Sequence, residues 1–157
     1  MARAEASLIT LVAAAIALAG CGADSGLSKT ALDSKANAIC ADETTARDAI
    51  ALPSNIGDVT QAAAYFDQIV PILSGATSKL AELKPADSVT SSWEAFMSLR
   101  KQLTTTMQAI RHKADISDAS GLADLKAEPA LGTRVDNAAT RIGATRCAES
   151  GAGPFPE

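Results

Sequence analysis

Between Asp58 and Pro85 the apolar residues Val59, Ala62, Phe66, Ile69, Leu73, Ala76, Leu80 and Leu83 follow one another in unbroken alternating steps of three and four. That spacing lines one face of a 3.6-residue helix, whereas a strand would place its inward residues at every second position. A stripe this long needs apolar partners to cover it, and the rest of the chain supplies them. A first segment, about Thr30 to Leu52, carries Leu32, Ala36, Ile39, Ala46 and Ile50 and stops at Pro53-Ser54-Asn55-Ile56-Gly57. A third, opened by Asp87 or Ser88 after Lys84-Pro85, carries Val89, Trp93, Phe96, Leu99, Leu103, Met107 and Ile110. A fourth begins near Ser117 and holds Leu122, Leu125, Leu131, Val135, Ala138, Ile142 and Cys147, with Pro129 dividing it.

The composition agrees, being 47% hydrophobic but only 3% aromatic. A core built from Ala, Leu, Ile and Val suits closely approaching helices, and strands would draw on more aromatic and β-branched residues. Asp58 followed by Gln61 has the form of a helix-opening capping box, and Pro71 is expected to kink the second helix by crowding the carbonyl of Asp67. Short connections favour antiparallel neighbours. The expected fold is all-α, an up-down-up-down four-helix bundle over residues 30–148, one domain by size. A disordered tail is expected at 149–157. The net charge of −4 has both signs interspersed, and without clustered Lys and Arg no nucleic-acid face is expected.

The start of the chain carries a different kind of signal. Arg3 precedes an apolar run from Leu8 to Ala19, and Leu18-Ala19-Gly20-Cys21 follows. As a helix the run would reach roughly 20 Å, short of the roughly 30 Å hydrocarbon core, so a permanent span is not expected. The segment resembles the bacterial lipoprotein signal and its lipobox, from which it departs in placing Glu5 beside Arg3. The resemblance implies a signal peptide over residues 1–20 and cleavage before Cys21. It also implies a diacylglyceryl group on that cysteine and acylation of the new amino terminus, of the palmitate kind. Residues 21–29, small and polar, then read as a flexible tether. Cleavage after Ala19 without lipid is the other reading of the same residues.

Three cysteines are an odd count for an exported chain until Cys21 is assigned to the lipid, which leaves Cys40 and Cys147. In an up-down-up-down bundle the first and last helices lie side by side in opposite directions, so Cys40 can meet Cys147. A disulfide there would close a loop of about 106 residues, a crosslink that chain entropy values at about 4–5 kcal/mol. Buried free thiols are the alternative. The stretches Ala36-Asn37-Ala38-Ile39-Cys40 and Arg141-Ile142-Gly143-Ala144-Thr145-Arg146-Cys147 are similar to those of small uncharacterised envelope lipoproteins, a resemblance that implies a helical fold and leaves function open.

Groups able to do chemistry are sparse. His112, the single histidine, sits between Arg111 and Lys113 and reads as solvated. Asp115-Ile116-Ser117-Asp118 lacks the sixth-position glycine of a calcium loop and has Lys126 in place of the bidentate Glu, so a helix start capped by Ser117 or Asp115 explains it better. Met97 and Met107 read as core filler. Two cysteines and one distant histidine lack metal-ligand spacing. Glu43 falls where the first stripe expects an apolar residue and reads as an edge position with its carboxylate in water, or as a group facing a cleft. No cofactor, metal or enzymatic role is expected. The expected function is that of a lipid-anchored envelope module on the extracytoplasmic side, acting through a protein partner or structurally. The alternative is a binder of a small apolar ligand between the helices.

Overall fold

A computed structural model describes residues 26–55, 57–118, 120–121 and 128–149. The expected signal segment 1–20, Cys21, the expected tether up to residue 25, Ile56, Leu122, Leu125 and the tail from residue 150 lie outside the described residues. The fold is all-α. Helix α1 spans Lys29–Asp48, α2 Val59–Ala81, α3 Asp87–Asp115, α4 Glu128–Ile142 and α5 Thr145–Glu149. No helix among the described residues is long and apolar enough to cross a membrane.

Local chemistry explains where the helices start and stop. Ser28 accepts a bond from Ala31 N at the start of α1. The Asp58 carboxylate accepts from Thr60 N and Gln61 N, satisfying two donors that α2 cannot pair internally. Gln61 reaches back beyond the capping-box position, since its Oε1 accepts from Asn55 N and the Ser54 hydroxyl. Helix α2 continues through Pro71. Its buried face matches the stripe at Ala62, Phe66, Ile69, Leu73, Ala76 and Leu80, while Leu83 follows the helix and is half-buried.

Two helix ends differ from expectation. Helix α3 runs on to Asp115, where Ser117 adopts φ 58°. Ser117 N bonds to Ala114 O and Asp118 N to Lys113 O, the paired closing bonds of a Schellman turn. Ser117 therefore ends the third helix instead of capping a fourth. Gly143, with φ 85°, closes α4 in the same way through Gly143 N to Thr140 O and Ala144 N to Ala139 O. The fourth segment thus turns back at Gly143, and Cys147 belongs to a separate short helix. Pro129 sits in the first turn of α4, where its missing N–H costs nothing.

Helices α2 and α3 are antiparallel, paired by Thr77 with Thr104, Ser74 with Gln108 and Asp67 with Arg111. Helix α1 packs on α2 and α5, and α4 packs on α3 and α5. At the head of α1, Lys29 Nζ donates to Ile142 O, so the start of α1 meets the end of α4. The Cys40–Cys147 disulfide is present. Its partner helices α1 and α5 run alongside in the same direction, because the chain has already reversed at Gly143.

Substitution at Gly143 tests the reversal. Alanine there faces the left-handed penalty of about 1–2 kcal/mol, and its Cβ would lie 2.6 Å from Asp33 Oδ2. Gly75, mid-helix with nothing within 4 Å of where a Cβ would stand, is the control. Urea denaturation with the disulfide intact is expected to show Gly143→Ala losing at least about 1 kcal/mol and Gly75→Ala gaining about 0.5–1 kcal/mol.

Candidate functional site

The most chemically distinctive place in the fold lies inside it. In α1 the inner face runs Leu32, Ala36, Cys40, Glu43, and in α3 it runs Trp93, Phe96, Arg100, Leu103, Met107. Each series keeps to steps of three and four, so helical geometry delivers Glu43 and Arg100 to the core as firmly as it delivers leucine. The two side chains are fully buried and paired, Arg100 Nη2 donating to Glu43 Oε2. Glu43 is therefore neither at a wet edge nor facing an open cleft.

Two further charged groups surround this pair. Arg47, one turn beyond Glu43 on α1, and Arg100 both act electrostatically on Asp136 of α4. Asp136 Oδ1 is buried, and burial lifts its carboxyl to about 6 against the pull of the two arginines. Tyr65 of α2, buried and within the field of Arg47, has its phenol pushed up by desolvation. Glu43 Oε1 and Arg100 Nε and Nη1 make no hydrogen bond among the described residues. Atoms in that condition cost of the order of 1–3 kcal/mol each, so the cluster is held in place by the packing around it.

A second cluster joins α1 to the carboxyl end of the domain. Asn37 Oδ1 accepts from Arg146 N and Asn37 Nδ2 donates to Gly143 O. One amide thereby caps the first turn of α5 from another helix, a turn before Cys40 meets Cys147. Asn37 carries no sequence signal beyond its place near Cys40.

The other residues singled out from the sequence do not converge. His112 is exposed in the last turn of α3. Met97 and Met107 are buried in the core. Asp118 accepts from the amide and hydroxyl of Ser120, bonds that hold its carboxyl below the usual range and make it the cap of a turn. No group of three or more His, Cys, Asp or Glu among the described residues could hold a metal ion. Arg100 and Asp136 escape the sequence reading because Leu99 also fits the three-four spacing and is apolar, and because Asp136 lies beside Val135 on a face that reads as solvated. Searches against protein-family profiles, curated proteins and solved structures found no match to this chain.

Removing one partner of a buried pair strands the other charge. Arg100→Met alone is expected to cost about 3–5 kcal/mol, while Glu43→Leu combined with Arg100→Met restores most of it. A double-mutant cycle by urea denaturation reads the difference, and an additive double variant would contradict the pairing.

Asp136 gives a pH signature. Its carboxyl is raised from 3.8 to about 6 in the folded chain, so the folded state holds the proton more tightly. The stability this group contributes is complete below about pH 4 and is lost as pH rises through about 6. The shift corresponds to at most roughly 3 kcal/mol, reduced by solvent screening at a partly buried group. Unfolding curves across that interval should slope less in Asp136→Asn than in the parent chain.

Proposed function

We propose that this chain is exported, lipidated on Cys21 and held at the extracytoplasmic face of a bacterial membrane. There its helical domain acts through a protein partner or in a structural role, without catalysing a reaction. The observation that carries the reading is Leu18-Ala19-Gly20-Cys21 at the end of a short apolar run. The Cys40–Cys147 disulfide supports it, because such bonds persist in oxidising compartments and this one uses both cysteines that lipidation leaves over. The burial of Glu43 and Arg100 against each other also fits a structural role.

Binding of a small apolar ligand is the second reading. It is favoured by an open groove of about 340 Å³ beside the α2–α3 loop, whose apolar side is formed by Leu83, Pro85, Trp93 and Met97 and whose rim carries Lys84, Thr90, Glu94 and Lys101.

Intact-mass measurement of the membrane-fraction protein, with and without reduction and alkylation, tests the first reading. The expected result is the mass of Cys21–Glu157 plus acyl groups, with two thiols appearing only after reduction. A soluble chain without lipid would overturn it. Native mass spectrometry of the same sample bears on the second reading, which requires mass beyond the protein and its own acyl groups.

A further inference from the structure

The described chain begins at a fixed point on the domain. Leu27 N donates to Lys84 O at 2.7 Å and Ala86 N donates to Leu27 O at 2.9 Å, stitching the segment before α1 to the α2–α3 loop. The approach is so close that a Cβ on Gly26 would lie 2.2 Å from Pro85 O. Five residue steps separate Cys21 from Gly26, a reach of at most about 18 Å when fully extended. Helix α3, which starts beside this stitch, has 29 residues and extends about 43 Å. An anchor at Cys21 therefore holds one end of the domain close to its membrane, and the other end lies beyond the tether's reach.

The two ends also differ in charge. At the stitched end Lys79 and Arg141 lie in the last turns of α2 and α4, and Lys84 lies in the loop. Lys29 is there too, bonded to Asp33 and Ile142 O. Against these four bases stand Asp33, Glu82, Asp87 and Glu94, so that this end is balanced among the described residues. At the far end, among the described residues, Asp48, Asp58, Asp67, Asp115 and Asp118 outnumber Arg47, Arg111 and Lys113. Leu52 and Ile116, the exposed large apolar residues among those described, are both at this acidic end. Anionic headgroups attract basic residues and repel acidic ones within about a Debye length, roughly 8–10 Å at ordinary ionic strength.

From the short tether, the fixed stitch and the charge asymmetry we infer that the end formed by the α2–α3 loop, the first turn of α1 and the last turn of α4 faces an anionic lipid surface. The end bearing Leu52 and Ile116 points away from it. This orientation rests on lipidation of Cys21, and the test separates the two.

The full lipidated chain is placed in phosphatidylcholine vesicles with and without phosphatidylglycerol, carrying a fluorophore at Lys84→Cys or at Asp48→Cys, and headgroup spin labels serve as quenchers. Quenching is expected to be several-fold stronger at position 84 than at 48, with the difference narrowing when phosphatidylglycerol is omitted. Equal quenching, or stronger quenching at 48, from protein whose intact mass includes the lipid overturns the orientation and leaves the anchor standing. A difference indifferent to phosphatidylglycerol overturns the anionic assignment. Protein without lipid mass overturns the anchor and the orientation together.

Discussion

The pairing of Glu43 with Arg100 sets how the helices of this domain fit together. The core holds few aromatic rings, and Arg100 heads its fully buried side chains by volume. Its long stem fills space that an aromatic residue would otherwise take. A buried ion pair gives little stability over a well-packed apolar pair of the same size. What it supplies is discrimination. An Ala and Leu stripe looks much the same one turn up or down, so α1 could slide against its neighbours at small cost. With Glu43 and Arg100 in the stripes, a one-turn slip would leave both charges buried and unpaired, a penalty of several kcal/mol.

Helix α1 is also the element into which the rest of the chain locks. Leu27 bonds to the α2–α3 loop, Lys29 to the end of α4, Asn37 to the start of α5 and Cys40 to Cys147. These ties explain how five residues persist as α5, since a helix of that length has no stability of its own in water. The disulfide closes a separation of 107 residues, and Asn37 satisfies one of the amides such a short helix leaves open. The reversal at Gly143 lets this arrangement form. Without it α4 would continue antiparallel to α1 and carry Cys147 past the head of α1, away from Cys40.

Much of this is legible in the residues. Period alone locates α2 and the inner face of α3, breakers separate the helices, and the count of cysteines points to Cys40 with Cys147. Pro129 marks the start of α4 because proline belongs in a first turn. Where sequence and structure part, the cause is shared: local rules admit two answers and tertiary packing chooses. Steps of four and three through Arg100 fit a helix as well as steps of three and four through Leu99, and hydropathy favours the leucine. Ser117 has the chemistry of a helix opener, yet it serves in the left-handed position that ends α3, a place glycine more often fills. Gly143 looks like a tolerated helix glycine because its φ is a property of the reversal and leaves no mark in composition.

The same facts bear on where function resides. A buried carboxylate near a guanidinium often signals catalysis, because perturbed groups collect at active sites. Here Glu43 and Arg100 have fully buried side chains and are paired with each other, and Asp136 of α4, with one carboxylate oxygen buried, lies within the field of Arg100. What differs from place to place on the outside is the contrast between the two ends, one stitched to the incoming chain and bearing exposed bases, the other acidic and tipped by Leu52 and Ile116. On the proposed reading these ends have separate duties. The stitch carries the load of the anchor into backbone hydrogen bonds at the α2–α3 loop, and the distal tip carries the apolar side chains a protein partner would cover. The bonds of Leu27 fix the point on the domain at which the tether arrives.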